Sequence, residues 1–125
     1  MDMVCWQALT QPNYEYVREL VMPYVLGDCP ATVGGVWGTF ESVYGVGHVT
    51  SNNWLLYEVK FLEQRIIIYD PKSFMLKFSD YMPVFDCMSC HIPKLLHAAK
   101  IVFHHDGKLL PHCPKWEIVR FFNTP

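Results

Sequence analysis

Residues 52–73, NNWLLYEVKFLEQRIIIYDPKS, decide the fold. Two runs of aliphatic, β-branched and aromatic residues, WLLYEVKF and IIIYD, flank the polar turn LEQR, the pattern of a β-hairpin. Side chains alternate along a strand, so Leu55, Tyr57, Val59 and Phe61 share one face while Trp54, Leu56, Glu58 and Lys60 share the other. One face is fully apolar; the other turns polar only toward its end. The second run is apolar on both faces, which predicts a central place in the sheet. Asp70 closes it, and the following Pro71 pushes that residue out of the helical region and predicts a turn through DPKS.

Upstream, residues 13–26 place Val17, Leu20, Val21 and Tyr24 on one face, with Glu15, Arg18 and Glu19 elsewhere. This predicts an amphipathic helix that Pro23 kinks or ends early. GDCPATVGGVWGT holds four of the seven glycines and reads as loop, FESVYGV as a short strand, and GHVTSNN as a loop that contains His48. Downstream, FMLKFSDYMPVF fits either helix or strand. HIPKLLHAAKIVF predicts a helix with Pro93 in its first turn and Ile92, Leu95, Leu96, Ala99 and Val102 or Phe103 at helical spacing. HHDGKLLPHCP reads as loop and WEIVRFF as a last strand. The order helix, strand, hairpin, helix, strand predicts a single α+β domain over residues 1–125, with a mainly antiparallel sheet and flanking helices.

The composition excludes several classes of function. Hydrophobic residues make up 51% of the chain and charged ones 18%, too apolar for a disordered segment. The ten Lys and Arg residues are scattered singly and the net charge is −2, so there is no footprint for a nucleic-acid backbone. No apolar run approaches the roughly 18 residues of a membrane span, and the N-terminus lacks the basic and apolar segments of a secretory signal. Five cysteines without such a signal point to free thiols in a reducing compartment, nucleus or cytoplasm.

The segment CMSCH, Cys87 to His91, matches the pattern for covalent haem attachment, but that chemistry belongs to exported, largely helical proteins. Zinc is a second reading, with Cys87 and Cys90 joined by His104, His105, His112 or Cys113, although their spacing offers no neat ligand pair. Two half-buried thiols at the start of a helix explain the motif more simply, and no metal or cofactor is expected. His97 reads as a partly exposed helix position. Neither a GxSxG elbow nor a Walker lysine occurs. Asn53 and Asp70 remain. In cysteine peptidases an Asp or Asn orients the histidine that deprotonates the thiol, and an Asp at the end of a central strand is well placed for that role.

Residues 36–73, with Trp37, Val43 and Tyr44 leading into the hairpin, resemble the ubiquitin-like-protein-specific (SUMO-specific) cysteine protease family, especially its divergent plant and transposon-encoded members, and the resemblance spans about residues 35–125. Trp54 fits the family's tryptophan and Asp70 its aspartate. The spacing from position 53 to position 70 equals that between the family's histidine and aspartate. The C-terminal part, a proline-initiated helix, a variable loop and a strand from Trp116 leading to Pro125, fits as well. The resemblance implies a papain-like cysteine-protease fold, with Asp70 as the orienting carboxylate and Trp54 in the groove that holds a ubiquitin-like protein's Gly-Gly tail. On its own, Trp54 is better explained as a core residue.

Two departures shape the expected function. Asn53 stands at the histidine position, and an amide has no titratable nitrogen to serve as the base. His48 is a substitute base only if the loop lets it swing toward Asp70. The family also continues beyond its last strand into an oxyanion Gln and an Asp-Cys-Gly nucleophile, where this sequence reads FFNTP. The resemblance thus implies a truncated, catalytically inactive relative, or a fragment of a longer active one, with an apolar sheet face left uncovered. The alternatives are a non-catalytic module that binds SUMO or another ubiquitin-like tail, and an unrelated small zinc-binding α+β domain.

Overall fold

The computed structural model describes residues 3–28, 37–50, 53–69, 78–105, 107–110 and 113–121. In chain order the elements are α1 (Met3–Leu9), α2 (Tyr14–Val25), a 3₁₀ turn (Trp37–Thr39), β1 (Ser42–Thr50), β2 (Asn53–Lys60), β3 (Arg65–Tyr69), α3 (Phe78–Ala98), the short strands β4 (His104–His105) and β5 (Lys108–Leu109), and β6 (Glu117–Phe121). The main sheet has the order β1-β2-β3-β6, and β4 pairs only with β5. The small hairpin lies within the His104 to Pro114 stretch expected to be loop, and α1 is a further element that the sequence pattern does not predict.

The expected hairpin forms, with β3 central between β2 and β6. The sheet is mostly antiparallel, as expected, and mixed because β6 runs parallel to β3. Parallel neighbours need a crossover that returns the chain to the starting end, and α3 lies in that connection.

The inner face of the sheet carries Leu55, Tyr57, Val59, Phe61, Ile66 and Ile68, each 2% exposed or less. At roughly 1.5–3 kcal/mol per fully buried large apolar side chain, these residues anchor the helices to the sheet. Trp6 of α1 and Phe85 of α3 meet the Tyr57 ring at 5.2 and 5.7 Å, while Trp37, Phe103 and Trp116 surround Phe61. Gly45 and Gly47 make room for this layer. A Cβ on Gly47 would stand 2.6 Å from the Trp6 ring, and one on Gly45 would run into Tyr57.

Helix α2 begins at the N-cap Asn13, whose side chain accepts a hydrogen bond from the Tyr16 N–H. It ends in a Schellman motif, with Gly27 in the left-handed region at φ 74° and the Asp28 N–H bonded to the Pro23 carbonyl. Pro23 therefore lies in the last turns and the helix runs past it. Val17, Val21, Tyr24 and Val25 are buried, whereas Leu20, assigned to the same face, is 40% exposed.

Helix α3 corrects three expectations. It starts at Phe78, so Cys87 and Cys90 lie in its interior and Pro93 is far from its first turn, and it ends at Ala98, before Val102 and Phe103. A mid-helix proline has no N–H to offer the carbonyl four residues earlier, here that of Ser89. The Trp116 N–H takes that carbonyl at 3.1 Å. The missing helical bond is thus replaced by one that ties the start of β6 to α3, reinforced by an ion pair between Lys115 and Asp86.

Candidate functional site

The hairpin gathers several chain ends at one end of the sheet. The register pairs Leu56 with Tyr69, so β2 begins where β3 finishes, and Phe121 pairs with Tyr69 where β6 finishes. Asn53 opens β2 opposite Thr50. Asp70 lies outside the described residues, directly after the last residue of β3.

His48 sits within β1 rather than in a loop, opposite Trp54, with the two ring centroids 4.5 Å apart. The strand continues through it because Gly45, Val46 and Gly47 keep pairing with β2. Strand β2 separates β1 from β3, which puts His48 two strand spacings, about 10 Å, from the β3 backbone. Trp54 is 55% exposed and belongs to the outer face of the sheet, not the core. Its alternation in β2 placed it on that side, and among the described residues no helix packs there.

The outer face also contains a group that sequence reading left unassigned. Glu58 is 4% exposed although it points away from the inner core, because Tyr44 on β1 and Tyr69 on β3 flank it. Tyr69 Oη donates to Glu58 Oε1 at 2.6 Å, and Ser42 and Tyr44 also hydrogen-bond the carboxylate. Burial pushes the Glu58 carboxyl up, but the three hydroxyls and the nearby Lys60 charge outweigh it and leave it below the usual range. The same bond, aided by burial, pushes the Tyr69 phenol up to about 12. A carboxylate held this firmly ionised is a poor proton acceptor; its chemistry is to fix two phenol rings on the surface. The signal lay in the sequence as a lone Glu among apolar neighbours, but the Tyr partners come from other strands and only the register reveals them.

The Cys87 thiol carries no sign of activation. Burial pushes the Cys87 thiol up, and the neighbouring Asp86 and Cys90 add to the shift, which favours the protonated, unreactive form. The Cys113 thiol donates to the Lys115 carbonyl at 2.9 Å. His91 is turned into the core, 4% exposed and stacked on Tyr14, with Nε2–H donating to the Gln11 carbonyl at 2.7 Å. Burial lowers its pKa despite that bond, and Nδ1 has no hydrogen-bond partner. This histidine fastens the chain between α1 and α2 to α3, a role that the CxxCH pattern does not suggest. Among the described residues, no group of three or more His, Cys, Asp or Glu side chains could hold a metal ion. His112 lies outside those residues, and His105 is described by its backbone alone. No described helix is long and apolar enough to cross a membrane.

In comparisons with known proteins, no family model matches the chain, and neither does any curated protein or solved structure.

Proposed function

We propose that this chain is a non-catalytic relative of the SUMO-specific cysteine proteases in which the hairpin half of the peptidase site serves as a platform for the tail of a ubiquitin-like protein. The observation that carries the reading is the exposure of Trp54 at the hairpin end, held against His48. A half-exposed tryptophan with an immobilised face is a typical anchor for a partner segment. The hairpin, crossover helix and parallel final strand, in that order, are also in keeping with the resemblance. Catalysis is not part of the proposal: Asn53 offers no base, and Cys87 is held as a thiol.

Tryptophan fluorescence tests this directly, because Trp6, Trp37 and Trp116 are 3–5% exposed and Trp54 is the one open to a partner. Titration with mature SUMO ending in Gly-Gly should shift the emission, and Trp54→Ala should weaken binding about tenfold or more. A flat titration with SUMO and with ubiquitin ends the reading. A vinyl sulfone probe built on the SUMO tail should label no cysteine; rapid labelling at one site would make the chain an active peptidase instead.

A further inference from the structure

The two edges of the sheet differ in how they are defended. Strand β6 is five residues long and carries Glu117 and Arg120, charges of the kind that discourage edge-to-edge association. Strand β1 is nine residues long, SVYGVGHVT, with no proline, no Asp, Glu, Lys or Arg, and an irregular register only near its end. Helix α1 covers its inner face through Trp6 over Gly47. Among the described residues no strand pairs with its outward side.

We propose that β1 pairs antiparallel with β1 of a second copy, about a two-fold axis at Val46, joining the two sheets into one. The strand is complementary to itself in this register. Val46 meets Val46, a β-branched pair on the outer face; Tyr44 faces His48 of the other copy; Gly45 faces Gly47. The glycines add no side chain to the inner face, where Trp6 and Tyr57 already fill the space above them in each copy. An uncharged strand also brings no like charges into opposition, so a second copy meets no electrostatic penalty. Val46 is 45% exposed and Tyr44 54%, so pairing shields apolar surface as well as backbone groups. A single strand pair falls at the small end of specific interfaces, so the dimer is weak and concentration-dependent.

Sedimentation equilibrium over micromolar concentrations tests the proposal. The wild-type mass should rise toward twice that of the monomer. Val46→Lys sets two like charges against each other at the axis and should stay monomeric with an unchanged circular dichroism spectrum. Leu56→Lys, on the same outer face but one strand inward, should dimerise as the wild type does. As a second readout, Val46→Cys should crosslink two copies under oxidised glutathione, while Leu56→Cys should not. A wild type that remains monomeric, a dimer indifferent to Val46→Lys, or loss of the dimer in Leu56→Lys would each overturn the pairing; the last would indicate face-to-face packing.

Discussion

One strand, β2, builds two unlike surfaces. On its inner side Leu55, Tyr57, Val59 and Phe61 are sealed, while on its outer side Trp54 and Leu56 are 55% and 42% exposed. Both sides begin apolar, but the outer one turns polar at Glu58 and Lys60, so the pattern itself favours burying the side of Tyr57. The neighbouring strand reinforces that choice. Gly45 and Gly47 remove side chains from the inner face of β1 and leave a recess for Trp6 and the Tyr57 ring, whereas Tyr44, Val46 and His48 crowd its outer face. Small residues on one strand therefore help to fix the buried side of the next.

The sharpest way to break the difference is to empty the inner side. Tyr57→Ala should cost about 3–5 kcal/mol in denaturant unfolding, since the ring lies against Trp6 and Phe85 and its loss leaves a cavity. Filling the recess instead, with Gly47→Val, should cost about 1–3 kcal/mol or more through overpacking against Trp6. The outer face has one interior-like feature, the Glu58 cluster, and Tyr69→Phe measures it. Loss of a hydrogen bond to a buried carboxylate should cost about 1.5–3 kcal/mol. The Glu58 carboxyl lies below its ordinary 4.5, so this contribution is complete above that pH and is lost as the pH falls through the folded-state value. On the alkaline side, Tyr69 should ionise near 12, and Glu58→Gln should bring it back toward 10, as read by ultraviolet titration.

Much of this contrast was legible in the sequence, and the exceptions have physical causes. The alternation of residues 54–61 and the two-sided apolar run 66–68 gave the hairpin, its faces and its central strand. Pro93 misled the reading of α3, since a proline suggests a first turn where its missing N–H goes unnoticed. Here the Trp116 N–H satisfies the freed Ser89 carbonyl, a partner that lies 27 residues away in sequence. Helix α1 escaped notice because seven residues span barely two turns, and its burial depends on glycines in a distant strand. For the candidate site, the sequence placed Trp54 and Asn53 at the opening of the hairpin. It did not show that Trp54 is open to solvent, or that His48 is a strand residue resting on it, because both depend on how β1 pairs.

Beneath the inner face, His91 offers a subtler probe of the sealed layer. Burial holds its folded pKa below the ordinary 6.5, so the neutral form is the one that fits. Between those two values the unfolded chain binds more protons, and stability must fall as the pH drops below about 6.5. His91→Phe keeps a ring against Tyr14 and removes the titration, so the decline in denaturation midpoint between pH 7 and pH 5 should flatten in the variant. An equal decline in both proteins would place the acid-sensitive group elsewhere.

The smallest effect belongs to the outer face, and its smallness is the point. Trp54→Ala removes the largest side chain in β2, yet more than half of it faces water and its recorded ring contact is with the exposed His48. Substitutions at such sites shift stability by about 0.5 kcal/mol or less. The unfolding midpoint of Trp54→Ala should therefore stay close to the wild type, in contrast to the several kcal/mol expected at Tyr57 three residues along. A loss of 2 kcal/mol or more would mean that Trp54 is covered in solution, by a part of the chain or by a second copy. The same variant would then show a matching change in sedimentation if the cover is another molecule, and none if the chain covers itself.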